Sequence, residues 1–373
     1  LTFLLLFIIP FLVALGFFIF GKRLFTWHEF LGHVGIACLV ALISTGLVYC
    51  SNTSDTEIWN GRVSKKQREE VHCRHDYCCG YCESCSTDSN GSTSCYTYCC
   101  STCYEHNYDV DWNYWTTDAG GNSISTIDRQ GIKEPPRWTQ IIVGEPSSSR
   151  HSFENYIKAA PDTLFQYSGL VEKYKDNLPD YPSRVFDYYR LNRMTLANGA
   201  MVPKIQEWNY DLSDLNAKVG APKEANVIIV LVKDFGEEYF NALQQHWLGG
   251  KKNDIVVVLG VSEDNINNIK INWVRVFSWA KSDYFNIKLR DALLEIGNLD
   301  NRQLILSAIE KNTFSFFERK PMEDFEYLKA SITPTTTQLI VALIINLILS
   351  VGCGMIFLMN EFTEDNNFST GRY

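Results

Sequence analysis

The chain has 373 residues, enough for about two to three domains, and carries 34 Lys plus Arg against 43 Asp plus Glu for a formal net charge of −9. That acidic balance argues against nucleic acid as a partner, because phosphate binding needs basic surface. With 46% hydrophobic and 21% charged residues, the composition also excludes a disordered chain.

Residues 1–20 (LTFLLLFIIPFLVALGFFIF) carry no charge and are long enough to cross a ~30 Å hydrocarbon core as a helix, with Pro10 as a tolerated kink. The run is longer than the apolar region of a signal peptide. A short link with Lys22 and Arg23 leads to a second span at 31–50. A third follows at 338–359, interrupted only by Asn346. Parity places residues 51 to about 338 on one side of the bilayer, and the link and the 360–373 tail on the other. Basic residues flank the large domain (Arg62, Lys65, Lys66, Arg68, Arg319, Lys320, Lys329) more densely than the link and tail. Long domains, however, cross regardless of charge. The cysteine density favours an oxidising compartment. The expectation is an integral membrane protein with its large domain extracytoplasmic, periplasmic or lumenal, and its link and tail cytoplasmic.

Nine of the twelve cysteines lie in one stretch: Cys73, Cys78, Cys79, Cys82, Cys85, Cys95, Cys99, Cys100 and Cys103. Two chemistries fit. CxxC steps with His72, His75 and His106 nearby can build tetrahedral zinc. Alternatively, 72–104 is a disulfide-stapled loop, since a segment so rich in Ser, Thr, Gly and Tyr cannot form a core alone. Nine is odd, and Cys50 at the membrane exit could make a tenth. A redox CxxC usually opens a helix, and none is signalled here. The compartment favours disulfides.

Residues 57–63 read as a strand. After the cysteines, Tyr104, His106, Tyr108, Val110, Trp112 and Tyr114 alternate with Glu105, Asn107, Asp109, Asp111 and Asn113, a period of two with one packed and one wet face. The acidic face could take a cation; a solvated strand face is the plainer reading. Strands are also expected at 138–143 and 184–193, a polar loop at 144–150 and a short helix at 153–160. These complete a β-rich domain over 51–200.

From Val202 the period becomes helical through Ile205, Trp208, Leu212, Leu215 and Val219, with Gly220 as a stop. Strand 226–232 follows, then a helix with Tyr239, Phe240, Leu243 and Trp247 closed by Gly249-Gly250. Strands at 255–259 and 269–279 and two helices complete an α-β-α-β-β-α-α order over 201–330. The run EEYFNALQQHWLGGKKNDIVVVLGVSEDN, with Trp247, Gly249, Lys251, Asn253 and Asp254, and the closing membrane helix resemble the TPM-domain family over about 204–318. That resemblance implies an α/β sandwich carried outside the cytoplasm. The family includes a photosystem repair factor and an auxiliary protein of acetylcholine receptors, and phosphatase activity is attributed to some members. The EIWNG and cysteine half resembles uncharacterised tailed-phage membrane proteins, which implies no activity.

No catalytic motif emerges. His28 to His33 has one residue too many for HExxH, and a five-residue step of ~500° turns the second histidine away. Gly249-Gly250-Lys251-Lys252 lacks the spacing of a P-loop. Asp234, Glu237, Asp254 and Asp264 flank strand ends, where a divalent cation such as calcium could bind; acids favoured at helix starts are the alternative. Asn346 and Gly352 are candidates for helix association. The expected fold class is an α+β membrane protein: three transmembrane helices, a cysteine-stapled β-rich domain and a TPM-like α/β sandwich. The expected function is a membrane-anchored scaffold that binds the lipid bilayer and other membrane proteins or itself. A metal-dependent phosphatase-like hydrolase and a zinc-binding module are the alternatives.

Overall fold

The computed structural model describes residues 4–20, 27–87, 90–118, 120–160, 164, 169–185, 192–265 and 268–359, the side chains of 263–265 and 268 apart. In chain order the membrane end supplies α1 (Leu5–Phe20) and α2 (Trp27–Thr53). A β-rich part follows: β1 (Ser54–His72), β2 (Asp76–Thr87), β3 (Thr93–Tyr104), β4 (Tyr108–Thr116), β5 (Gly120–Ile124), α3 (Pro136–Gln140), β6 (Pro146–Glu154) and α4 (Tyr156–Ala159); α5 (Leu170–Tyr174) comes next and packs into the α/β part. Then come β7 (Met194–Ala197), α6 (Ile205–Lys223), β8 (Asn226–Lys233), α7 (Glu238–His246), β9 (Asp254–Asn265), β10 (Asn268–Ser278), α8 (Tyr284–Ile296), α9 (Arg302–Phe316) and α10 (Thr336–Met359).

α2 and α10 are long and apolar enough to cross a membrane, and α1 is a shorter apolar helix. The three pack together with polar groups inside and apolar groups outside. Leu42, Leu47 and Ile348 are exposed, whereas His33, Asn346 and Ser350 are buried. That is the reverse of a water-soluble bundle and suits a lipid surround. Pro10 has no N–H for the carbonyl of Leu6, four residues back. Asn346 Nδ2 reaches that carbonyl at 3.4 Å, and its Oδ1 accepts from Ser44 at 2.8 Å. Ser350 Oγ lies 3.0 Å from His33 Nε2. Asn346 therefore joins all three helices of one chain. Gly354 seats the Phe17 ring, while a Cβ on Gly352 would meet nothing. His28 is exposed and His33 buried, on different faces of α2.

The antiparallel sheet β5-β4-β1-β6 is organised by β1, whose first half pairs with β6 and whose second half pairs with β4. The second sheet, β10-β9-β8-β7, is parallel except for β10. In β8, Val227, Ile229 and Leu231 join the core under α6, α8 and α9, while Ile228, Val230 and Val232 join the core under α7. Helices on both faces are why this strand reads as an unbroken apolar run.

β1 runs nine residues past Val63, because pairing on both halves sustains a polar strand. The 72–104 segment is a two-stranded hairpin, not a loop. The strand expected at 138–143 is replaced by α3, started by Pro136 at the first helical position, where its missing N–H costs nothing. The loop expected at 144–150 is largely β6, a polar strand held by β1. Gly220 does not stop α6, which continues to Lys223. The strand expected at 184–193 falls largely outside the described residues.

Candidate functional site

Between the end of β1 and the start of β4 the chain leaves the sheet as the β2–β3 hairpin, paired from Asp76↔Tyr104 to Thr87↔Thr93. Its twelve-residue strands make an arm about 36 Å long. None of the residues in β2 or β3 is buried. A lone hairpin without an apolar face is marginal in water. Four disulfides take the place of a core: Cys78–Cys99, Cys79–Cys103, Cys82–Cys100 and Cys85–Cys95. Gly80 sits at a register shift, where a Cβ would come within 2.8 Å of Ser101 Cβ. Tyr77, Tyr81, Tyr96, Tyr98 and Tyr104 are all exposed, and the Tyr96 and Tyr98 ring centroids are 6.0 Å apart.

Cys73 is the cluster cysteine left out of these pairs; Cys50 is also unpaired and lies exposed near the end of α2. Cys73 is buried at the foot of the arm with His75, His106 and Asp109, and the four ligand-type atoms lie within 4.8 Å of one another. His75 Nδ1 is 3.0 Å from His106 Nε2 and 3.4 Å from Asp109 Oδ2, and His106 Nε2 is 3.0 Å from Asp109 Oδ1. The Arg74 N–H donates to Asp109 Oδ2 at 2.8 Å, and the His75 N–H donates to Cys73 Sγ at 3.4 Å. The Arg74 N–H is the largest influence holding the Asp109 carboxyl below the usual carboxylate range, with burial opposing it and both imidazoles assisting.

The strand-end acids do not converge. Asp234 and Glu237 are exposed beyond the C-terminal end of β8, and Asp254 is fully buried at the start of β9. Asn226 pairs with Asp254 in parallel register, so Asp234, eight residues further on, lies about 26 Å from it. The side chain of Asp264 lies outside the described residues.

Asp254 belongs instead to a buried junction between β1 and the α/β part. It accepts from Asn226 Nδ2 at 2.7 Å, Tyr181 Oη at 3.1 Å and the Lys251 N–H at 2.7 Å. Asn226 Oδ1 accepts from Arg193 Nε at 3.1 Å and Asn60 Nδ2 at 3.1 Å. Burial pushes the Asp254 carboxyl up and the Arg193 guanidinium down, and their mutual attraction opposes both shifts. Nearby, Arg319 grips buried Glu57 at 3.1 Å to each oxygen, and Lys251 Nζ lies 2.6 Å from Asp55. These contacts fix the sheet that carries the arm onto the α/β part.

The fold and the site define an α+β protein with membrane-competent apolar helices and a disulfide-stapled hairpin. In comparisons with known proteins, no family model, curated protein or solved structure matches the chain.

Proposed function

We propose that the protein is a membrane-anchored interaction protein that presents the 76–104 arm outside the cytoplasm to the ectodomain of another membrane protein. The observation that carries this reading is the arm itself. Among the described residues, β2 and β3 pack extensively only on each other, yet four disulfides hold them rigid. Exposed tyrosine on a rigid strand pair supplies contact area at low entropy cost. α2 leads directly into β1, and α10 follows α9 at the end of the domain, so the apolar helices adjoin the domain at both of its ends in the chain. The disulfides suit an oxidising compartment. The TPM-like reading of 204–318 rests on the element order and on the Trp247-Gly249-Lys251 turn between α7 and β9. A phosphatase-like reading finds no support in the separated acids.

A photo-crosslinking residue at Tyr81 or Tyr96 tests the proposal in native membranes, with the equally exposed Tyr210 on α6 as control. The arm positions are expected to give discrete adducts with a membrane protein and Tyr210 none. Equal yields at all three positions, or adducts with lipid alone, would overturn it. Adducts with a second copy of the chain would replace the foreign partner by self-assembly.

A further inference from the structure

We propose that Cys73 Sγ, His75 Nδ1, His106 Nε2 and an Asp109 carboxylate oxygen form a closed four-coordinate zinc site that locks the foot of the arm. Tetrahedral zinc with nitrogen and oxygen ligands at ~2.0–2.1 Å has ligand–ligand edges of about 3.3 Å. The His75 Nδ1–His106 Nε2 separation is 3.0 Å, and each nitrogen faces its own oxygen of the one carboxylate, at 3.4 Å to Oδ2 and 3.0 Å to Oδ1, so either oxygen can turn to a shared ion.

Proton placement leads to the same conclusion. Each ring nitrogen faces both the other imidazole and the carboxylate. With one proton between them, the bare nitrogen turns a lone pair toward Asp109. With two, a pair of N–H groups confront each other at 3.0 Å. Asp109 Oδ1 is buried and has no hydrogen-bond partner, despite the His106 nitrogen beside it. A cation at the centre satisfies all three groups at once.

The donor set selects the ion. A thiolate and two imidazoles suit zinc, whereas calcium and magnesium take oxygen ligands. Four protein ligands leave no open position, which marks a structural site and not a catalytic one. The outer contacts are those a metal site requires: the Arg74 N–H orients the carboxylate, and the His75 N–H supports the thiolate.

Chain order shows what the ion does. Cys73 and His75 immediately precede β2, and His106 and Asp109 follow β3, so one ion would tie the entry of the arm to its exit. It also accounts for the ninth cysteine: eight staple the arm, and Cys73 is left as a thiolate ligand. This inference goes beyond the partner-binding proposal, since the lock would exist whatever the arm touches.

The test uses the full chain in detergent, stripped of metal and reloaded with Co(II), then Zn(II). About one ion per chain is expected, with the intense visible bands of four-coordinate cobalt and a thiolate charge-transfer band that zinc abolishes. Cys73→Ser removes the charge-transfer band. His106→Ala and Asp109→Asn weaken zinc binding by about 100-fold or more, beyond what losing an outer contact costs. Asp111→Asn, which removes only the exposed Arg74 pair, leaves it unchanged. In every variant the eight arm cysteines stay blocked to thiol reagents, which separates loss of metal from loss of fold. Three results would overturn the proposal: a six-coordinate cobalt spectrum without charge transfer, parental zinc affinity in Cys73→Ser, or recovery of Cys73 in a disulfide with Cys50. None of these would bear on crosslinking from Tyr81.

Discussion

Asp254→Ala is expected to lower stability by about 3–5 kcal/mol, the cost of leaving a buried cation without its counter-charge. The carboxylate only accepts: from Asn226, from Tyr181 and from the Lys251 N–H. Those donors favour the ionised form, against the burial that pushes this carboxyl up. Its counter-charge is Arg193, 1% exposed and linked to it through Asn226. Asp254→Asn keeps the shape but loses the charge, and should cost less than the alanine. Combining Asp254→Asn with Arg193→Met should cost less than the sum of the two, since the orphaned cation disappears. Denaturant melts of the solubilised chain measure the four variants against the parent. A loss below about 1 kcal/mol for Asp254→Ala would contradict a charge-balanced junction.

Gly220→Ala should reverse the usual sign of its substitution. Replacing glycine inside an exposed helix by alanine ordinarily gains about 1 kcal/mol. At Gly220 the new methyl would overlap the Asn60 carbonyl oxygen and lie 2.7 Å from its carbon. Those are backbone atoms of β1, which is held on its other side by β6. They cannot step aside without moving the sheet. A net loss of about 1–3 kcal/mol is expected, and a larger one for Gly220→Val. A gain in melting temperature would show that α6 does not press on β1 as described.

The parts most legible in the sequence were those with a strong hydrophobic period. β8 reads as a buried strand because helices cover both its faces, and α7 and its Gly249-Gly250 close follow from apolar spacing and chirality. The arm is not legible as strands. Disulfides relieve β2 and β3 of any need for an apolar face, so no alternation marks them. β6 is hidden in the same way, since PSSSRHSFE is held by its partner and not by its own burial. At the foot of the arm, Cys73, His75 and His106 were visible as potential ligands, and Asp109 as a member of an acidic strand face. Nothing in their spacing joins Asp109 to the others, because the closure passes through the whole hairpin. Asp254 reads as a strand-end acid, and its burial beside Asn226, with Arg193 linked through that amide from 61 positions earlier, is beyond the reach of any local pattern. Gly220 misled because a glycine needed for close approach looks like a glycine that ends a helix.

In the proposed function, membrane-spanning helices hold the stapled arm outside the cytoplasm. Labelling intact cells with a membrane-impermeant amine reagent, followed by non-reducing peptide mass spectrometry, tests it in one sample. Modification of the exposed Lys133, Lys175 and Lys288 is expected before lysis, and of Lys22 only after it. The arm is expected as peptides joined through Cys78–Cys99, Cys79–Cys103, Cys82–Cys100 and Cys85–Cys95. Labelling of Lys22 from outside with the domain lysines protected, or recovery of those eight cysteines as free thiols, would contradict it.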